Sequence, residues 1–168
     1  MIPLRIAVVA TLAACGLNAQ SILLREARQE FDAAKSNVLG SAEKMPEESY
    51  SFKPAPRVRT FGQILGHLAE EQYLYCSTAK GEQRSADIEK TKTSKADLIA
   101  ALKEAFAYCD SVYDSLNDAT VLETVKVGKP RTRLKILWGN TIHDNLHYGN
   151  LITYLRIKGI VPPSTEGQ

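Results

Sequence analysis

Between Lys135 and Arg156 the chain carries one charged residue, Asp144, among Leu, Ile, Tyr, Asn, Thr, Gly and two histidines. Residues 134–157 read as a helix, and a surface helix normally keeps a charged face. A helix without one is expected to be buried on most sides, with other helices packed around it. It is no membrane span, because Asn140, His143, Asn145, His147 and Asn150 would sit at bilayer depth, where polar groups are costly.

Three further helices can supply that packing. Residues 22–44 place Leu23, Ala27, Phe31, Ala34 and Val38 at helical spacing. Pro46, Pro54 and Pro56 then break the pattern, which makes residues 45–59 an extended connection. Thr60 followed by Gln63 is a capping box that starts the second helix. Its stripe is Phe61, Ile64, Leu65, Leu68, Gln72 and Tyr75, and Gly81 ends it. Residues 82–93 are polar and read as loop. Ser94 and Asp97 open the third helix, with Leu98, Ala101, Leu102, Ala105, Phe106, Cys109 and Val112 or Tyr113 on its inner face; Asn117 and Asp118 end it. Residues 120–127 predict a short strand or extended loop, and Pro162-Pro163 begin a tail. At 168 residues and 44% hydrophobic composition, one all-α four-helix-bundle domain over residues 20–168 accounts for the chain.

Residues 1–19 are set apart as a signal peptide. A short positive start ending at Arg5 precedes the uncharged run from Ile6 to Ala14, and cleavage after Ala19 would leave Gln20 first. Within it, Leu12-Ala13-Ala14-Cys15 has the form of a lipobox. The protein is therefore expected to be exported, to the periplasm or beyond, either free or tethered through a lipid on Cys15. Export exposes Cys76 and Cys109 to an oxidising compartment, so they are either a disulfide or two buried thiols. Lys and Arg total 21 against 19 Asp and Glu, a balance that argues against a nucleic-acid partner. The basic run Lys126, Lys129, Arg131, Arg133 and Lys135 reads as a solvated loop. Tyr73, Tyr75 and Tyr148 suit helix seams as well as a pocket.

The chain has three histidines. His143 and His147 are four apart and stack on one helical face with Asn140, Leu151 and Tyr154. His67 lies at the edge of the second helix's apolar stripe, and Glu71 lies on the same edge one turn on. Imidazoles buried without partners are costly, and one divalent metal ion would satisfy all three. Three His ligands with an open position match a catalytic rather than a structural zinc site; nickel or iron would be held equally well. Glu71 is the candidate base, extra ligand or orienting carboxylate.

Three segments carry a resemblance: residues 59–69, Arg-Thr-Phe-Gly-Gln-Ile-Leu-Gly-His-Leu-Ala; residues 143–149, His-Asp-Asn-Leu-His-Tyr-Gly; and residues 154–163, Tyr-Leu-Arg-Ile-Lys-Gly-Ile-Val-Pro-Pro. In order and spacing they resemble the DinB family over residues 31–163. The resemblance implies up-down-down-up connectivity, with a long crossover after the second helix. It also implies His67, His143 and His147 as metal ligands, and pairing into homodimers. With the second and third helices parallel, Cys76 and Cys109 would lie at similar depth, which makes their disulfide feasible. By the same resemblance the expected function is a metal-dependent transferase or hydrolase of an unknown small molecule. The alternative is a non-catalytic metal-binding, stress or interaction module of the cell envelope.

Overall fold

The computed structural model describes the backbone of residues 4–117 and 119–166, with side chains from Ile22 onward. Four long helices form the bundle: α1 (Leu4–Lys44), α2 (Phe61–Lys80), α4 (Lys95–Asp114) and α5 (Arg133–Ile157). A one-turn helix, α3 (Ile88–Thr91), lies in the crossover between α2 and α4. A small antiparallel hairpin, β1 (Thr124–Val125) with β2 (Arg131–Thr132), precedes α5. The side chains of the expected leader, residues 1–19, lie outside the described residues, Cys15 included. Among the described residues no helix is long and apolar enough to cross a membrane.

Contacts along the helices give their directions. Arg28 on α1 meets Asp110 and Asp114 near the end of α4, while Lys95 at the start of α4 reaches the Glu43 and Met45 carbonyls at the end of α1. These two helices are antiparallel. Helices α2 and α4 run parallel, since Gly62 faces Leu98 at one end and Cys76 joins Cys109 in a disulfide at the other, with the Cα atoms 5.4 Å apart. Helix α5 runs against α2: His67 faces His143, Gln72 faces Asn140 and Asp144, and Arg133 donates to the Ala79 carbonyl. The connectivity is up-down-down-up.

Local sequence sets where the helices begin. Gln63 N donates to Thr60 Oγ1 at 3.1 Å, and Thr60 N donates to Gln63 Oε1 at 2.9 Å. This capping box contributes about 1 kcal/mol and fixes the register of α2. Gly81, with φ 89°, closes the helix in a left-handed conformation that a side chain would resist. Phe31, Val38, Leu65, Leu68, Leu102, Phe106, Leu137 and Leu151 are fully buried between the helices.

Three expectations are corrected. The connection 45–59 is folded back on the bundle: a 3-10 turn at Glu47–Ser49 buries Tyr50, whose hydroxyl donates to the Ala42 carbonyl at 2.7 Å. The polar stretch 82–93 is not all loop, because buried Ile88 anchors α3 against α2. And α5 is not enclosed at the centre. It packs on α1 and α2, and its outer side exposes Trp138, Ile142 and Leu146 at 51%, 62% and 66%. Scarcity of charge here means an apolar outer stripe rather than burial.

Candidate metal centre

The antiparallel pairing of α2 and α5 turns sequence spacing into a site. His67 stands two turns into α2, opposite His143 and His147, which are one turn apart on α5. Ring centroids are 5.1 Å apart for His67 and His143, 4.9 Å for His67 and His147, and 4.6 Å for His143 and His147. Every pair meets edge to face, so none of the three rings stacks on another. The Nε2 atoms of His67 and His143 are 3.2 Å apart. Two nitrogens on one tetrahedral zinc, each at 2.0–2.1 Å, would be separated by roughly 3.3 Å. One atom from each of the three side chains can be chosen so that all lie within 4.8 Å of one another.

Electrostatics keep these imidazoles neutral. Burial lowers the pKa of His67 to about 4, helped by Arg59 and His147 and opposed by Glu89. Burial likewise takes His143 to about 4, with His147, His67 and Arg59 adding to it. His147 is lowered by burial and then by Arg59. Neutral imidazole is the form that ligates metal. His143 Nδ1 is buried without a hydrogen-bond partner. Asn150 Nδ2 lies 3.3 Å from His147 Nδ1, to which it can donate.

A second group of ligating atoms shares His67 and adds Glu70 and Glu89. Both carboxylates already have partners. Glu70 Oε1 accepts from the Glu89 backbone N–H at 2.6 Å, and Glu89 Oε1 accepts from Arg59 Nε at 2.9 Å. The other Glu89 oxygen lies 3.7 Å from His67 Nδ1, the nitrogen opposite the one facing His143. This is the placement of a carboxylate that orients a metal-binding imidazole from behind. Gly66 makes it available: a Cβ there would lie 2.7 Å from Glu89 Cα, so only glycine lets α3 press this closely on α2.

Glu71, the carboxylate singled out from sequence, is half-buried on α2 and belongs to neither group. Burial and the neighbouring Glu70 raise its pKa, against a lowering by Arg59. Glu89 and Arg59 escaped the sequence reading. Residues 82–93 were read as loop, and the one signal there was Ile88, a lone apolar anchor that brings its neighbour inward.

One turn from the histidines the same helix pair holds a different cluster. Asn140 Nδ2 donates to Gln72 Oε1 and Gln72 Nε2 donates to Asp144 Oδ1, both at 2.6 Å, and all three residues are fully buried. Burial drives the Asp144 carboxyl well above its ordinary range. The basic hairpin is remote. Arg133 meets Ala79, twelve residues along α2 from His67, which is about 18 Å of helix rise.

Comparison with known proteins agrees with the helical fold. The family model of the DinB superfamily matches residues 30–151. A DinB-like protein from Bacillus cereus superposes with a TM-score of 0.69 at 17% identity, covering 82% of this chain and 93% of its own. A DinB-like protein from Bacillus subtilis gives 0.66 at 20% identity, covering 80% and 92%. A mutant of a mycothiol-dependent maleylpyruvate isomerase gives 0.64 at 12% identity, covering 76% of this chain and 60% of its own. None of the curated proteins matches the sequence.

Proposed function

The chain belongs to the DinB superfamily, and from that premise we propose that it holds one divalent transition-metal ion on His67, His143 and His147 and uses it in catalysis. The observation that carries this reading is the convergence of three neutral imidazoles, two of whose Nε2 atoms are 3.2 Å apart. Zinc, nickel and iron all suit such a donor set.

A divalent ion with three protein ligands supplies a Lewis acid and an activated water or thiolate at its open position. The reaction class assigned is group transfer or hydrolysis of a small molecule. His67, His143 and His147 hold the ion, and Glu89 orients His67. Glu71, whose pKa is raised chiefly by burial, is the group to which proton handling is assigned. A non-catalytic, sequestering role would need a fourth protein ligand. Glu71 is the residue available for that task, and it does not group with the three histidines among the described residues, which favours the open, catalytic reading. The proposal includes export by way of residues 1–19, with Cys15 as the point of any lipid attachment.

Elemental analysis of the purified protein, beside a His147→Ala variant, tests the site. Close to one equivalent of a transition metal is expected, lost in the variant. Absence of metal after reconstitution, or its retention at full stoichiometry by the variant, would contradict the reading.

A further inference from the structure

A cleft of about 410 Å³ opens beside His147. Its wall includes Arg57, Arg59, Ile64, Asn150, Thr153 and Tyr154, and it holds no acidic residue among those that line it. The two arginines come from one stiff segment. Pro54 and Pro56 restrict its backbone. Its end is tied to α5, where the Tyr154 hydroxyl donates to the Arg59 carbonyl at 2.7 Å. Arg59 gives only Nε to Glu89, and Arg57 has no ion pair among the described residues. From Ser51 to Gln63 the chain carries Lys53, Arg57 and Arg59 and no Asp or Glu.

Three neutral imidazoles leave a bound divalent ion its full charge, so positive potential would come from both sides of the cleft. Resting on the three-histidine reading, we infer that this cleft is a carboxylate subsite. It would take a small organic acid whose carboxylate meets Arg57 and Arg59 while a second donor atom, at the far end of a short aliphatic stem, reaches the metal. Planar guanidinium groups match a carboxylate with paired, charge-assisted hydrogen bonds. Ile64, together with Pro54 and Val58, offers apolar surface to the stem. The basic hairpin ahead of α5, although richer in charge, plays no part in this site.

The test uses the zinc-loaded full chain and two metal-chelating probes, acetohydroxamate and succinomonohydroxamate, which share the chelating group and differ by a terminal carboxymethyl group. Calorimetric titration should show the carboxylate-bearing probe binding roughly tenfold tighter, an advantage that shrinks as salt is raised. Arg57→Gln should bring the two affinities together while leaving zinc content and acetohydroxamate affinity unchanged. Arg57 is exposed, so this variant should fold as the parent does. Equal affinity of the two probes for the parent protein, or an advantage that survives Arg57→Gln, overturns the subsite and leaves the metal centre standing. Failure of the parent to take up zinc overturns the metal centre itself, and the subsite with it.

Discussion

The seam between α2 and α5 carries two polar clusters one helical turn apart, and they are built on opposite terms. In the Gln72–Asn140–Asp144 cluster each side chain is fully buried and hydrogen-bonded to a neighbour across the seam, while Asn140 Oδ1 and Asp144 Oδ2 have no partner. It lies in the same stretch of the bundle as the Cys76–Cys109 bridge. In the histidine cluster the rings are only partly buried, and the Nε2 atoms of His67 and His143 face one another at 3.2 Å. A polar group bonded across the seam inside the protein fixes how helices meet; ligating nitrogens gathered beside a cleft are available to a ligand. The helices, register and distance scale are common to both clusters. What separates scaffold from site is the kind of atom gathered there and the opening to solvent.

The comparison breaks if perturbing the scaffold cluster removes the metal, or if perturbing the histidine cluster unfolds the bundle. The largest effect on stability is expected from replacing both Cys76 and Cys109 by Ser. The bridge spans a sequence separation of 33, for which loop-closure entropy suggests about 3–4 kcal/mol. Chemical denaturation should register this loss while metal stoichiometry holds, and the parent protein unfolded without reductant should show no free thiol. Gln72→Leu comes next. It strips Asn140 Nδ2 and Asp144 Oδ1 of their partners and should cost about 2–3 kcal/mol, again without loss of metal. A Gln72→Leu protein that folds normally but no longer binds metal would erase the division drawn here.

Glu89→Gln should act in the reverse sense. Removing the charge behind His67 should weaken metal affinity by roughly tenfold, measured by competition with a chelator, and leave the unfolding midpoint of the metal-free protein close to the parent's.

A further effect separates the clusters by sign of pH dependence. His67 and His143 titrate at about 4 when folded against an ordinary 6.5. Between those values the unfolded chain binds more protons, so their contribution to metal-free stability is full above 6.5 and is lost as pH falls toward 4. The Asp144 pKa is raised by folding from an ordinary 3.8, so the folded state holds the extra proton. Its contribution is full below 3.8 and declines as pH rises through the folded value. Denaturation curves across pH should therefore lose a decline toward low pH in a His67→Ala, His143→Ala protein and lose a decline with rising pH in Asp144→Asn. Identical pH profiles for the two variants would contradict the assignment.

How far the sequence reaches is uneven for the same physical reasons. Helix starts at Thr60 and Ser94 are local hydrogen-bond chemistry, visible in a few residues, and both caps form. The histidines were legible because a spacing of four puts two on one face and the capping box fixes the register of the third. Glu89 was not, since its place depends on α3 docking over Gly66, a contact between segments that no periodicity encodes. Asp144 looked like an isolated charge because its partner Gln72 is supplied by another helix. The exposed Trp138, Ile142 and Leu146 show the converse: an uncharged helix was read as an enclosed one, although a four-helix bundle gives every helix an outer side.

The central claim is that the ion is held by three imidazoles, not by the alternative group of His67, Glu70 and Glu89. X-ray absorption spectroscopy of the zinc-loaded protein distinguishes the two. The account predicts a shell dominated by three imidazole nitrogens at about 2.0–2.1 Å, reduced to fewer in His143→Ala. A shell of carboxylate oxygens with one imidazole, unchanged in His143→Ala, would contradict it.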